Sequence, residues 1–145
     1  MSRHSHQVPQ HYELHPQLAA DTHPVVAFAL CELRLMDDSH HPWLVLVPRV
    51  AGATELIDLS EDQQHALLRE VTQASRILRE RFAPDKLNVA ALGNLVPQLH
   101  LHVIARYTGD IAWPRPVWGQ AAMKPYTPEA LVERIATLRE GLAGT

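Results

Sequence analysis

In the run QLHLHVIAR, from Gln98 to Arg106, polar and apolar side chains alternate with a period of two. On an extended strand, residues two apart share a face and lie roughly 6.5 Å apart along the chain. Gln98, His100 and His102 therefore project to one side, and Leu99, Leu101 and Val103 to the other. The apolar set fixes the register, because a one-residue slip would bury the histidines and expose the leucines. The chain needs a sheet packed on one face and carrying a polar row on the other. On that row the imidazole of His100 is expected to face open solvent.

The flanking sequence supplies the partners such a sheet needs. PVVAFALCEL and PWLVLVPR are short, β-branched apolar runs that read as buried strands, with RLMDDSHH as a hairpin loop between them. KLNVAAL and QLHLHVIAR read as two more, joined by a tight GNLVP turn. Between the two pairs, DLSEDQQHALLREVTQASRILRERFAPDK predicts one helix of five or six turns. Ser60 and Gln63 form a capping box, and Glu61 and Asp62 suit the positive end of its dipole. Arg76, Arg79 and Arg81 suit the other end. Leu67, Leu68, Val71, Ala74, Ile77 and Leu78 make one apolar face, and Pro84 ends the helix.

A short helix is expected within His15–Thr22, opened by Pro16. A last helix lies in YTPEALVERIATLREGL, with Thr127 as N-cap, Pro128 at the first helical position and Gly141 as the stop. Short, locally paired strands around one long helix predict an α+β fold with a mainly antiparallel sheet, covered by that helix and joined by a C-terminal one.

Composition sets outer limits. At 145 residues the chain is read as a single domain, 1–145, with a polar His-rich arm over 1–14 and a C-terminal extension over 112–145. A net charge of −3 gives no broad basic surface for nucleic acid. No apolar run approaches membrane-spanning length, and the expected setting is cytoplasmic. Cys31 is the single cysteine, which excludes an internal disulfide and a cysteine-based zinc site; a small buried hydrophobe is its expected role. His4, His6, His11 and His15 belong to a polar arm.

Three readings fit the evenly spaced histidines: rings lining a half-exposed sheet face, a pair of metal ligands, or an imidazole nucleophile. A metal-binding barrel would need many strands with frequent glycine turns, and six glycines and a long helix weigh against it.

QLHLHVI resembles the motif of the histidine triad (HIT) superfamily, in which three histidines alternate with apolar residues. His100 matches the middle histidine and His102 the third, while Gln98 stands at the first. Gly93–Asn94 falls where the family carries a Gly-Gln pair. FALCELRLMDDSHHPWLVLVPR and the helix after it are similar to the family's hairpin and helix, so the likeness runs from about Val25 to Arg106.

The resemblance implies a HIT-like fold and a nucleotide phosphoanhydride or phosphoramidate hydrolase or nucleotidyl transferase. In that chemistry His100 attacks the α-phosphorus and forms a nucleotidyl-histidine (phosphohistidine) intermediate. His102 contacts the phosphate or departing oxygen, and Gln98 orients the nucleophile. Asn88 and Asn94 bind phosphate, and Glu32 takes the ribose-binding place. Leu30 and Leu33 would help form a slot for the base. The implied partners are a purine nucleotide and a second copy of the chain in a homodimer. No cofactor is required and no metal site is implied, with Mg²⁺ only as a companion of a polyphosphate.

The departures from the family pattern matter. Gln98 cannot carry a proton at neutral pH, which favours good leaving groups such as dinucleoside polyphosphates. The alternative is a nucleotide-binding protein with little turnover. Trp43 stands where relatives place a histidine that His41 could replace spatially, and Leu95 stands at a hydroxyl position. In AWPRPVWG, Trp113 and Trp118 are expected to anchor the tail rather than to rim the site. Arg49 and Arg106 are expected to be solvated.

Overall fold

The computed structural model describes residues 11–144, so His4 and His6 lie outside the described residues. Helix α1 (Pro16–Asp21) leads into strands β1 (Thr22–Ala27), β2 (Cys31–Met36) and β3 (Trp43–Pro48). A 3₁₀ turn at Leu56–Asp58 and helix α2 (Glu61–Phe82) precede β4 (Lys86–Ala90), β5 (Leu101–Arg106) and helix α3 (Pro128–Ala143). The five strands form one sheet in the order β1-β2-β3-β5-β4, every pairing antiparallel. Among the described residues the sheet is open, with edges at β1 and β4, and is not a barrel.

Both faces of this sheet are covered. On one, α2 and α3 pack over Cys31, Leu33, Leu35, Leu44, Leu46, Leu101, Val103 and Ala105. Helix α2 contributes Leu67, Val71, Ala74, Ile77 and Leu78, while Leu68 stands off the stripe and is 66% exposed. On the other, a second cluster joins Leu18, Met36, Trp43, Val45, Val47, Ile104 and Val117, with Tyr12, Leu14, Val96 and Trp118 against it. Strand β3 lies between the two clusters and all six of its residues are buried, as its unbroken apolar run requires. Each of its fully buried Val and Leu side chains contributes about 1.5–3 kcal/mol.

The capping box of Ser60 and Gln63 is present, and α2 closes at Ala83 in a left-handed conformation, one residue before Pro84. Glu70 on α2 is buried and accepts the N–H groups of Leu30 and Cys31, both at 2.8 Å, tying the helix to the β1–β2 turn. Cys31 is fully buried, and burial followed by the charge of Glu70 pushes its thiol well above the usual range.

Several boundaries differ from expectation. PVVAFALCEL is two strands, because the chain turns at residues 28–30, where Phe28 N–H bonds back to Cys31 O. RLMDDSHH gives Arg34, Leu35 and Met36 to β2. The link between β4 and β5 is the long segment 91–100 rather than a tight hairpin, and it contains Gly93 at φ +78. Gly141 is no stop: α3 runs to Ala143, and Gly141 packs against α2, where a Cβ would meet Ile77 Cδ1 at 3.1 Å.

Candidate active site

His100, just before β5, continues the strand face that reads His102, Ile104, Arg106, and this face is not solvated. His100 is 7% exposed, His102 4% and Arg106 1%. The open-solvent expectation for His100 is thus corrected: residues 12–18 and the tail around Val117–Trp118 close over this face. His100 still borders free space. A cavity of about 350 Å³ is lined by His100 and Leu99, by Thr54–Ile57 and by Ala91–Gly93.

The two rings are held in opposite tautomers. His100 Nδ1 lies 2.7 Å from the main-chain carbonyl of Gln98. A carbonyl only accepts, so Nδ1 carries the proton and the Nε2 lone pair is left for chemistry. His102 Nδ1 lies 3.0 Å from the Trp43 indole nitrogen, which only donates, so there the proton sits on Nε2. The ring centroids of His100 and His102 are 5.0 Å apart. Burial, and secondarily the charge His100 would carry, lowers the pKa of His102 to about 3, so this ring is neutral at any physiological pH.

Gln98 acts through its backbone on His100 and through its side chain elsewhere. Its Oε1 accepts from His15 N and its Nε2 donates to Glu13 O, both at 2.8 Å. The amide thus pins the N-terminal segment, and the carbonyl orients the imidazole.

The remaining expected site residues are spread out. Asn88 pairs with Ile104, two residues beyond His102 and four beyond His100, a displacement of roughly 13 Å along a strand. Its Oδ1 accepts from Arg106 at 2.8 Å. The structure does not bring Asn88 to the nucleophile. Asn94 is exposed on the 91–100 segment, beside the cavity-lining Gly93. Glu32 is on the same sheet face, on β2, and accepts from Tyr12 Oη at 2.5 Å and from Arg34 Nη1 at 3.2 Å. Leu33 belongs to the α2-side core and Leu30 packs against it, so neither forms a base slot on the histidine face.

Two further expectations change. Arg106 is buried and fully engaged: Nε and Nη2 grip the Asp110 carboxylate at 2.8 and 3.1 Å, Nη1 reaches Asn88, and Nη2 reaches Arg115 O at 2.8 Å. Arg49 is partly shielded, donating to Phe28 O and Ala29 O. The tail tryptophans divide their roles. Trp113 lies against Arg106, with the guanidinium carbon 5.7 Å from its centroid, whereas Trp118 sits edge-on to His102 at 5.0 Å and to Trp43 at 5.8 Å. Trp118 is therefore a wall of the site. His41 is buried against Trp43 and near Asp110, and burial lowers its pKa, the pull of Asp110 being weaker. Among the described residues, no group of three or more His, Cys, Asp or Glu side chains is arranged to hold a metal ion.

The Trp43–His102 contact and the Arg106–Asp110 pair escaped the sequence reading. The second had a signal: Arg106 continues the alternation that places His100 and His102 on one face.

A five-stranded antiparallel sheet with a buried His-x-His running into β5 has the architecture of a histidine triad protein. The HIT domain model matches residues 17–109, and the chain belongs to that family. It is similar to a histidine triad protein from Marinobacter aquaeolei, at 49% identity and TM-score 0.90, over 92% of this chain and 98% of that one. It is also similar to one from Bradyrhizobium japonicum, at 46% identity and TM-score 0.89, over 91% and 98%. A third, from Sinorhizobium meliloti, is 39% identical with TM-score 0.88, over 90% and 97%. None of the curated proteins matches. HIT proteins generally bind nucleotides and act as hydrolases or transferases, and no helix among the described residues is long and apolar enough to cross a membrane.

Proposed function

We propose that the protein cleaves a nucleotide at its α-phosphorus, with His100 as nucleophile and a dinucleoside polyphosphate as the favoured substrate class. One observation carries this reading: the Gln98 carbonyl holds the His100 Nδ1 proton, which frees Nε2 beside the cavity. Nε2 forms a bond to the α-phosphorus while the bond to the bridging oxygen breaks, and the leaving group departs with that electron pair. Water then attacks the same phosphorus and loses a proton to solvent, the N–P electron pair returns to Nε2 to restore the neutral imidazole, and the nucleoside monophosphate is released. A nucleotide acceptor in place of water makes the reaction a transfer. The exposed amide of Asn94 and the main-chain N–H groups of the 91–94 segment are the candidate phosphate donors, each worth about 2–4 kcal/mol if engaged in the transition state. Mg²⁺ would enter with the polyphosphate rather than with the protein.

The test is AMP release from a diadenosine polyphosphate and from adenosine 5′-phosphoramidate by wild type and His100→Ala. Wild-type turnover at least 10³-fold above the variant is expected. Equal release by both, with nucleotide still bound, supports the second reading, a binding protein with little turnover. That reading draws on one contact, since the Gln98 amide is committed to Glu13 and His15 and holds no proton for a leaving group.

We also propose a homodimer in a cytoplasmic setting. Strand β4 is a sheet edge, and beside it Leu56, Leu68 and Val89 are all at least 45% exposed around a groove of about 270 Å³. Apolar side chains grouped along an unpaired edge suit burial against a second copy.

A further inference from the structure

His102 is the more deeply buried of the two rings, and its surroundings are almost wholly apolar. Val45 on β3 and Ala90 on β4 stand opposite it in the sheet. Trp43 and Trp118 enclose its sides, with centroids at 5.7 and 5.0 Å. His100 is the titratable group that acts on it. Within this enclosure the polar contact that the described residues make to the imidazole is the Trp43 indole N–H, 3.0 Å from Nδ1. Trp43 opens β3, where pairing with Ile104 fixes its backbone, and it is itself 4% exposed, so the indole has little freedom to turn away.

We infer that Trp43 is a positioning residue that locks His102 in the Nε2–H tautomer, so that the ring presents a hydrogen-bond donor to the phosphoryl group. This rests on the proposed chemistry at His100. An imidazolium could give its proton to the leaving oxygen. A neutral ring held by Trp43 can only share the Nε2 proton with a phosphate oxygen. The leaving group then departs unprotonated by the protein, because the Gln98 amide has no proton to supply either. The substrates that fit are those whose leaving group is stable as an anion: a nucleotide or phosphate leaving from a phosphoanhydride, rather than an amine from a phosphoramidate. Burial and Gln98 thus select the leaving group jointly, one by keeping a second proton off His102 and the other by denying the first triad position any, while Trp43 decides which nitrogen of His102 carries the proton that remains.

The experiment is ¹⁵N NMR of the histidine side chains in the full chain without substrate, from pH 8 to 5. For wild type we expect His102 to be protonated on Nε2 alone throughout, and His100 to carry its proton on Nδ1 at pH 8. In Trp43→Phe, which keeps an aromatic ring and loses the donor, His102 should show mixed tautomers, while burial keeps the ring neutral across this range. Its kcat on a diadenosine polyphosphate should fall about 100-fold with KM nearly unchanged, the low end of what removing one donor to transition-state charge costs. A proton on Nδ1 of His102 in wild type overturns the inference whether or not the variant folds. An unchanged His102 pattern in a folded Trp43→Phe overturns it as well. Because the spectra need no substrate, failed turnover with the expected tautomers would sink the hydrolase reading and leave the assignment of His102 standing.

Discussion

At the scale of single residues, two neighbouring imidazoles differ because two different backbone and side-chain partners claim the same ring atom. A carbonyl at Nδ1 frees the Nε2 lone pair of His100, and an indole N–H at Nδ1 leaves His102 with an Nε2 proton. Burial has a thermodynamic consequence. The unfolded chain protonates His102 near pH 6.5, but the folded chain holds it neutral down to about 3. Between these values the unfolded state binds more protons, so stability rises with pH and is fully present above 6.5. Each pH unit lost inside the window removes up to about 1.4 kcal/mol. His41, also lowered by burial, acts in the same direction. Denaturant unfolding at pH 7.5 and 5.0 should show a loss at the lower pH, and His102→Asn should flatten that slope; an equal slope in the variant would contradict the assignment.

At the scale of elements, the sequence announced what local physics controls and hid what long-range packing decides. The capping box at Ser60, the proline-opened α3 and the alternation of Leu101 and Val103 with His102 are all short-range patterns, and each has its expected place. The covering of the histidine face was not legible, because it depends on residues 12–18 and 117–118 returning from far along the chain. The same limit hid Arg106. Its arginine and Asp110 are four residues apart, but their burial comes from Trp113 and the rest of the tail closing over them. Burial would raise the Asp110 carboxyl; Arg106 and the N–H groups of Tyr107, Ala112 and Trp113 hold it well below the usual range instead. Arg106→Leu leaves that carboxylate buried without its partner and should cost about 3–5 kcal/mol in urea unfolding. Arg106→Leu combined with Asp110→Leu should recover much of the loss. A double variant as unstable as the sum of its parts would show that the pair matters through packing alone.

At the scale of the whole molecule, the sheet separates a structural side from a chemical one. Helices α2 and α3 stiffen the first, while the N-terminal segment and the tail enclose the second through Gln98, Tyr12 and Trp118. Of the two sheet edges, β4 is the one bordered by the exposed Leu56, Leu68 and Val89. Sedimentation equilibrium should give a dimer for wild type, and Leu68→Glu with Val89→Glu should give monomers that keep the secondary structure. An unchanged mass in the double variant would move the interface elsewhere.

The central claim is that His100 becomes covalently bonded to phosphorus during turnover. Rapid mixing with a diadenosine polyphosphate, a denaturing quench above neutral pH and peptide mass mapping tests it most directly. A nucleotidyl adduct confined to the His100 peptide, formed and lost at rates that match turnover, is the predicted result. Turnover without any adduct, or an adduct carried by another residue, would contradict it.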